Sequence, residues 1–262
     1  MTETIVTSRR NFLQAATLCA TSPMAASVAS ARVPSHELVF ELPVVSLPIA
    51  GSSLRFPVRR IYCAGRNYPM TANGQEYPPP VGHPDYFTKH RDAIVQNASS
   101  VHYPPLTRNF QYEIEMVVAL KSGGTDIAAG QALDCVFGYC AGLDMTRRDL
   151  FNDARRDHQA WEIGKSFDQA APCAPIHRVA DVGHLSSGAI SMTVNGKTTQ
   201  NADLSQMIWN VAAIISSLSQ EVGLAAGDLI FTGTPGGYTS VVAGDKLVGH
   251  IDHLTDIAIE VA

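Results

Sequence analysis

The stretch Tyr112-Glu113-Ile114-Glu115-Met116-Val117-Val118-Ala119-Leu120 decides how the chain reads. Its second half is an unbroken apolar run with β-branched residues, the pattern of a strand covered on both faces. Its first half sets acids at alternate positions, so period-two geometry turns both carboxylates to one face. Such a strand is buried at one end and dips two anions into a cleft at the other. Two anions so placed repel each other unless something positive sits between them.

Working outward, residues 135–143 (CVFGYCAGL) form a second continuous apolar run, predicting a buried strand that delivers Asp144 to its end. The short connection at 124–132 places Asp126 to cap a helical turn over IAAGQAL. Upstream, residues 58–63 predict a strand ending at Gly65-Arg66-Asn67-Tyr68. Pro69, Gly74, Pro78-Pro79-Pro80, Gly82 and Pro84 then punctuate a long irregular stretch, the composition of a lid or binding loop, before residues 87–89 resume a strand. Downstream, one helix is predicted over residues 204–222, with apolar side chains at helical spacing, a capping box of Asp203 and Gln206, and Gly223 as its stop. Residues 228–232 predict a strand entering Gly233-Thr234-Pro235-Gly236-Gly237, and strands at 246–250 and 255–261 close the chain. Strands outnumber helices without βαβ alternation or internal repeat. The fold class is therefore mixed α/β, mostly β, with few helices.

The 262 residues suffice for a core without disulfide staples. Charged residues are 16% of the chain, below the roughly 25% of an average soluble domain, so part of the surface suits burial against another subunit. A net charge of −5, with no Lys/Arg run longer than a pair, leaves no basic footprint and argues against nucleic acid as a partner. Residues 1–31 read as an address. Ser8-Arg9-Arg10-Asn11-Phe12-Leu13-Gln14 precedes an Ala-rich run that ends in Ala29-Ser30-Ala31, a pattern that resembles a twin-arginine export signal. It implies a periplasmic protein, or a cytoplasmic one if the leader is not functional, and the run is too short and weak for a stable membrane span. Residues 32–57 read as an N-terminal arm with one or two short strands, and 58–262 as the body of the chain. Past the leader, Cys63, Cys135, Cys140 and Cys173 match neither a redox pair nor a zinc site. They read as buried thiols, with a bridge left open by an oxidising compartment.

Glu113, Glu115 and Asp144, with no His or Cys beside them, make a hard oxygen set suited to Mg²⁺, Mn²⁺ or Ca²⁺. Alone, a Glu-x-Glu pair is an ordinary solvated strand face. Lys165 is a lone cation among apolar and small residues; aimed into a metal cleft it would steady an oxyanion or a carboxylate. The 233–237 turn offers backbone N–H groups and a hydroxyl to an anion, although a tight hairpin turn is its plainer meaning. The chain has no G-x-S-x-G elbow and no H-E-x-x-H, which withdraws support from serine-esterase and zincin chemistry. His250 and His253, three apart in a strand-like stretch, fall on opposite faces and read as structural.

Six motifs occur in order: Gly65-Arg66-Asn67-Tyr68, Tyr112-Glu113-Ile114-Glu115, Leu143-Asp144-Met145-Thr146-Arg147-Arg148-Asp149, Gly164-Lys165-Ser166-Phe167-Asp168, Val194-Asn195-Gly196 and Thr232-Gly233-Thr234-Pro235. Together, over residues 58–262, the chain resembles the fumarylacetoacetate hydrolase superfamily, most of all its fumarylpyruvate and acylpyruvate hydrolases. The resemblance implies a β-roll fold, a homodimer, and a divalent metal, usually Mg²⁺, on Glu113, Glu115 and Asp144. It implies hydrolysis of the carbon–carbon bond between two carbonyls of an acylpyruvate-type β-diketo acid such as fumarylpyruvate, the metal chelating the 2-oxo-acid end. Lys165 and Arg148 are then the catalytic cations, and Arg66, Tyr68, Gly233 and Thr234 the substrate-binding positions.

One departure bears on the reaction. Hydrolytic relatives carry a His-x-x-Glu pair just after the Gly-Arg-Asn-Tyr motif, where His takes a proton from water. The matching positions here are Thr71 and Gly74, and neither side chain is a base near neutral pH. Glu76 and His83, farther along the same loop, are the substitutes on offer. Without a base, the same metal site would serve a 2-oxo-acid tautomerase, isomerase or decarboxylase, or a non-catalytic oxo-acid-binding protein.

Overall fold

Ile114–Leu120 is buried at every residue and lies inside an eight-stranded sheet. In this computed structural model, residues 39–69, 71–72, 75–76 and 81–262 are described. The twin-arginine-like segment at 1–31 and Gly74 lie outside the described residues, as do the side chains of Thr71 and Glu76. The chain divides into two units, Met1–Leu42 and Pro43–Ala262; the elements below belong to the second.

Across the large sheet the strands run Asp85–Lys89, Arg60–Gly65, Asp228–Phe231, Ile114–Leu120, Val136–Leu143, Ala171–Cys173 and Ile94–Gln96, with His177–Arg178 also paired to Val136–Leu143. Ile114–Leu120 and Val136–Leu143 are antiparallel, with Ile114 opposite Leu143 and Glu115 opposite Gly142. Asp228–Phe231 lies parallel to Arg60–Gly65. This register sets the ends that carry Glu113, Asp144, Gly65 and Thr232 on one edge of the sheet.

A five-stranded sheet orders Lys197–Asp203, Ala189–Val194, Lys246–Ile251, Ile257–Val261 and Ser100–Val101. Gln200 ties it to the large sheet: its Oε1 accepts from Ile114 N at 3.2 Å. A three-stranded sheet joins Thr146–Arg147, Phe110–Gln111 and Ser240–Val241, and Ser46–Pro48 pairs with Arg55–Pro57. The helices are few and short: α1 (Ala129–Ala132), α2 (Arg148–Arg156), α3 (Val179–Val182) and α4 (Val211–Glu221). No helix among the described residues is long and apolar enough to cross a membrane.

Three local expectations change. The helix read at 204–222 is two pieces, a 3-10 turn at Leu204–Gln206 and α4. The capping box of Asp203 and Gln206 is present, but it caps the short turn. The break occurs because Asn67 claims the backbone between them, donating to Trp209 O at 2.9 Å and accepting from Trp209 N at 2.7 Å. Asn210 then starts α4 by accepting from Ala213 N. Asp126 caps nothing: α1 begins after Ala128 with no side-chain cap, and Asp126 sits in the left-handed region at φ 50. The 112–120 run is not one strand either. Phe110–Gln111 belongs to the three-stranded sheet, and the chain crosses at Tyr112-Glu113 before Ile114–Leu120 begins. Cys63, Cys135, Cys140 and Cys173 are buried free thiols.

Candidate functional site

Glu113 and Glu115 approach from the start of Ile114–Leu120, and Asp144 from the end of Val136–Leu143. The antiparallel register makes these neighbours, and Asp144 N donates to Glu113 O at 2.9 Å. One carboxylate oxygen from each of the three acids lies within 4.8 Å of the others, and all three residues are buried. They form the floor of a cavity of about 700 Å³.

Three cations answer them. Lys165 Nζ donates to Glu113 Oε2 at 2.7 Å and to Asp144 Oδ2 at 2.6 Å. It is aimed there by the 3-10 turn Glu162–Gly164, which lies tight on α2 because residue 164 is glycine. A Cβ at 164 would stand 2.7 Å from Phe151 Cβ. Arg148, the first residue of α2, donates to Glu113 Oε1 and, at 2.8 Å, to Gln111 Oε1. Its guanidinium lies over the rings of Tyr238 (4.8 Å) and Phe151 (5.4 Å). Lys89, which ends its strand, brings Nζ to 2.8 Å from Asp144 Oδ1 and donates to the carbonyls of Met145 and Lys165.

Burial is the largest influence on these charges. Burial first, then the neighbouring charges of Asp144 and Glu113, push the Glu115 carboxyl well above the usual range, against the pull of the Gly233 N–H and Lys165. Burial works the same way on Asp144, but Lys165 and Lys89 overcome it and hold that carboxyl below its ordinary value. Lys165 is held above the ordinary lysine value: burial opposes its charge, and Asp144 with Glu113 outweighs it.

The residues fit a divalent cation. The donors are all carboxylate oxygens, the set a hard ion prefers. Asp144 Oδ1 is buried without a hydrogen bond, since Lys89 touches it but out of alignment. The charge of Asp144 and Glu113 that adds to burial in lifting Glu115 is what a cation between the acids relieves.

The structure sorts the remaining candidates. Arg66 and Thr234 line the cavity. Arg66, at φ 53, holds Asp85 at the rim. Thr234 Oγ1 accepts from Gln200 Nε2 at 2.9 Å. Tyr68 and Gly233 are not among the lining residues. Tyr68 is 2% exposed, its Oη buried without a hydrogen-bond partner. Gly233, at φ +92, instead donates its N–H to Glu115 Oε2 at 2.7 Å, and a Cβ there would meet Asn67 Cβ at 2.7 Å. Its place supports the acid rather than a ligand. His83 lies at the mouth, with Nδ1 3.1 Å from Pro84 O and 3.8 Å from Glu221 Oε1. His250 stands apart in the five-stranded sheet, between Asp252 and Asp256, and His253 is in the left-handed region of the turn that follows.

Sequence reasoning missed Lys89, Gln200 and the cavity wall of Phe87, Phe151, Trp161 and Tyr238. For Lys89 a signal exists: it is the one charged residue of the short strand predicted at 87–89. Gln200 carries no such signal.

Residues 60–262 match the family profile of the fumarylacetoacetate (FAA) hydrolase C-terminal domain. The chain belongs to the fumarylacetoacetate hydrolase family. Among family relatives, the fumarylpyruvate hydrolase of a Ralstonia species is 42% identical over 176 residues, 67% of this chain and 91% of that protein. The mitochondrial oxaloacetate tautomerase of Rattus norvegicus is 32% identical over 206 residues, 78% of this chain and 91% of that one. Among solved family structures, the fumarylpyruvate hydrolase of Pseudomonas aeruginosa in complex with Mn²⁺ and pyruvate superposes with a TM-score of 0.82 at 43% identity. The superposition covers 86% of this chain and 99% of that one. The mostly β architecture with few helices is thus the family fold.

Proposed function

We propose that the chain is a divalent-metal-dependent hydrolase that cleaves a carbon–carbon bond in an acylpyruvate-type β-diketo acid, with fumarylpyruvate as the model substrate. One observation carries the reading: three buried carboxylates converge within 4.8 Å on a cavity floor, with Lys165 bridging two of them. The similarity to fumarylpyruvate hydrolases over most of their length supports it.

Glu113, Glu115 and Asp144 would hold the ion, with Mg²⁺ as our choice of native metal and Mn²⁺ or Ca²⁺ as alternatives. When bound, the ion supplies the Lewis acidity that makes the 2-oxo-acid half of the substrate a stable leaving group. The chain's own residues do the rest. Three carboxylates face three cations, Lys89, Lys165 and Arg148, so a divalent ion leaves the floor positive overall and suited to an anionic substrate. Lys165 and Arg148 orient the substrate carboxylate and meet negative charge as it develops. Thr234, held by Gln200, lines the same cavity and offers its hydroxyl there. Phe87, Phe151 and Trp161 limit water along the wall.

Hydrolysis also needs a base for water. We assign it to His83: with Nδ1–H donated to Pro84 O, Nε2 is left free to accept the proton. A second reading, 2-oxo-acid tautomerase, keeps the metal and Lys165 and needs no attacking water. The replacement of the His-x-x-Glu pair by Thr71 and Gly74 and the tautomerase relatives favour it.

We further read the protein as a homodimer, on its low charged fraction. We read residues 1–31 as a twin-arginine leader directing it to the periplasm, 32–57 as the arm and 58–262 as the catalytic domain. The test of the reaction is the ultraviolet absorbance of enolised acylpyruvates with purified protein and Mg²⁺ or Mn²⁺. Bleaching that is abolished in Glu115→Ala supports hydrolysis. Proton exchange at carbon 3 without bleaching selects the tautomerase.

A further inference from the structure

Helix α2 forms one side of the cavity as a ladder. Arg148, Phe151 and Arg155, spaced i, i+3 and i+7, share one face of the helix, and all three line the cavity. At about 1.5 Å of rise per residue, Arg155 stands roughly 10 Å farther along the axis than Arg148. Arg148 is the inner rung, bound to Glu113 on the floor. Arg155 is the outer rung, exposed at the rim, with its guanidinium 5.5 Å from the Phe151 ring centroid.

The pairing of the neighbouring charges sets Arg155 apart. Arg148 meets Glu113, Lys165 meets Glu113 and Asp144, and Arg66 meets Asp85. Arg156, next in the chain, holds Asp153 and Asp157. Among the described residues, Arg155 has no carboxylate within ion-pair distance. His158 and Gln159 follow it on the same rim and add N–H donors. Between rim and floor the wall is aromatic, with Phe151, Trp161 and Phe87, where a flat unsaturated chain packs without needing hydrogen bonds.

We propose that Arg155 reads a second, distal carboxylate, so that the site selects oxo-diacids over oxo-monoacids of the same length. This rests on the reading above that the acidic floor takes the 2-oxo-acid end of the substrate. A ligand anchored there and extended along the aromatic wall brings its far end to Arg155, whose planar fork matches a carboxylate. Arg155 is thus a specificity-determining residue, and the inner machinery is the same for both classes of substrate.

The test is calorimetry on the full chain with Mn²⁺, using 2-oxoadipate and 2-oxohexanoate, which share length and the 2-oxo-acid end and differ in the far carboxylate. The wild type should bind the diacid about tenfold or more tightly than the monoacid. Arg155→Gln should bring that ratio to about one, Arg155→Lys should keep part of it, and Arg156→Gln should leave it unchanged. A wild type with no preference, or an Arg155→Gln that keeps the full ratio, overturns the proposal. The hydrolase reading fails by a different result, the absence of turnover of any acylpyruvate, and the diacid preference needs no turnover to be seen.

Discussion

Lys165 Nζ lies 2.7 Å from Glu113 Oε2 and 2.6 Å from Asp144 Oδ2, so one buried ammonium spans the two strand ends that carry the acids. Its charge is maintained by those acids against burial. A residue that only balanced charge would be dispensable once a cation is bound. One that meets charge developing on the substrate would not.

Lys165→Met therefore separates the two roles. The account expects Mn²⁺ binding to be retained, since the variant keeps all three acids and loses a competing cation. It expects kcat to fall by about 10²–10³, the scale for removing a group that stabilises a developing oxyanion. Calorimetry with the metal and steady-state kinetics check it. A kcat within a factor of two of wild type would remove Lys165 from the chemistry.

The base assignment is checked through a variant that keeps the metal site. His83→Gln should lower kcat for hydrolysis by about 10²-fold or more while Mn²⁺ binding stays as in the wild type, because the side chain lies at the mouth of the cavity and not among the acids. A kcat in His83→Gln within a factor of two of wild type would move the base elsewhere, with His158 and Glu76 next to be replaced.

The cluster around His250 affects stability rather than the reaction. Hydrogen bonds to Asp256 and Asp252 raise the His250 imidazole above its ordinary value. The folded state thus binds the proton more tightly than the unfolded one. The resulting stabilisation is complete below the unfolded value near 6.5 and is lost as pH rises through the folded value. The group is 45% exposed, so screening holds the effect to about 0.5 kcal/mol, or about 1–2 °C in Tm. Wild type should exceed His250→Gln by that amount at pH 6, with the gap closing by pH 9 in thermal melts. A gap that widens with pH contradicts the sign.

Much of this fold was legible because its decisive signals are local. The apolar runs at 116–120 and 136–143 announce buried strands, and alternating Glu113 and Glu115 mark where one of them meets a cleft. The helix at 204–222 misread because its period is sound on both sides of a break made by a distant residue. Asn67 reaches across the chain to take both backbone groups of Trp209, and periodicity carries no trace of that. Gly233 shows the same limit. The sequence marks it as a turn glycine with anion-binding N–H groups, and the fold spends that N–H on Glu115. Lys165 was legible because it stands alone among apolar and small residues, whereas Arg155 lies beside other charged residues and acquires its meaning from the cavity it borders, and Lys89 acquires its meaning from its contact with Asp144.

The central claim is that Glu113, Glu115 and Asp144 grip one divalent cation. Titration of the purified full chain with Mn²⁺, followed by electron paramagnetic resonance of the free ion, measures it directly. The account predicts one bound Mn²⁺ per chain in the wild type and loss of that site in Glu115→Ala, with the fold retained by circular dichroism. A wild type that leaves Mn²⁺ free, or a folded Glu115→Ala that binds it as tightly, would contradict the claim.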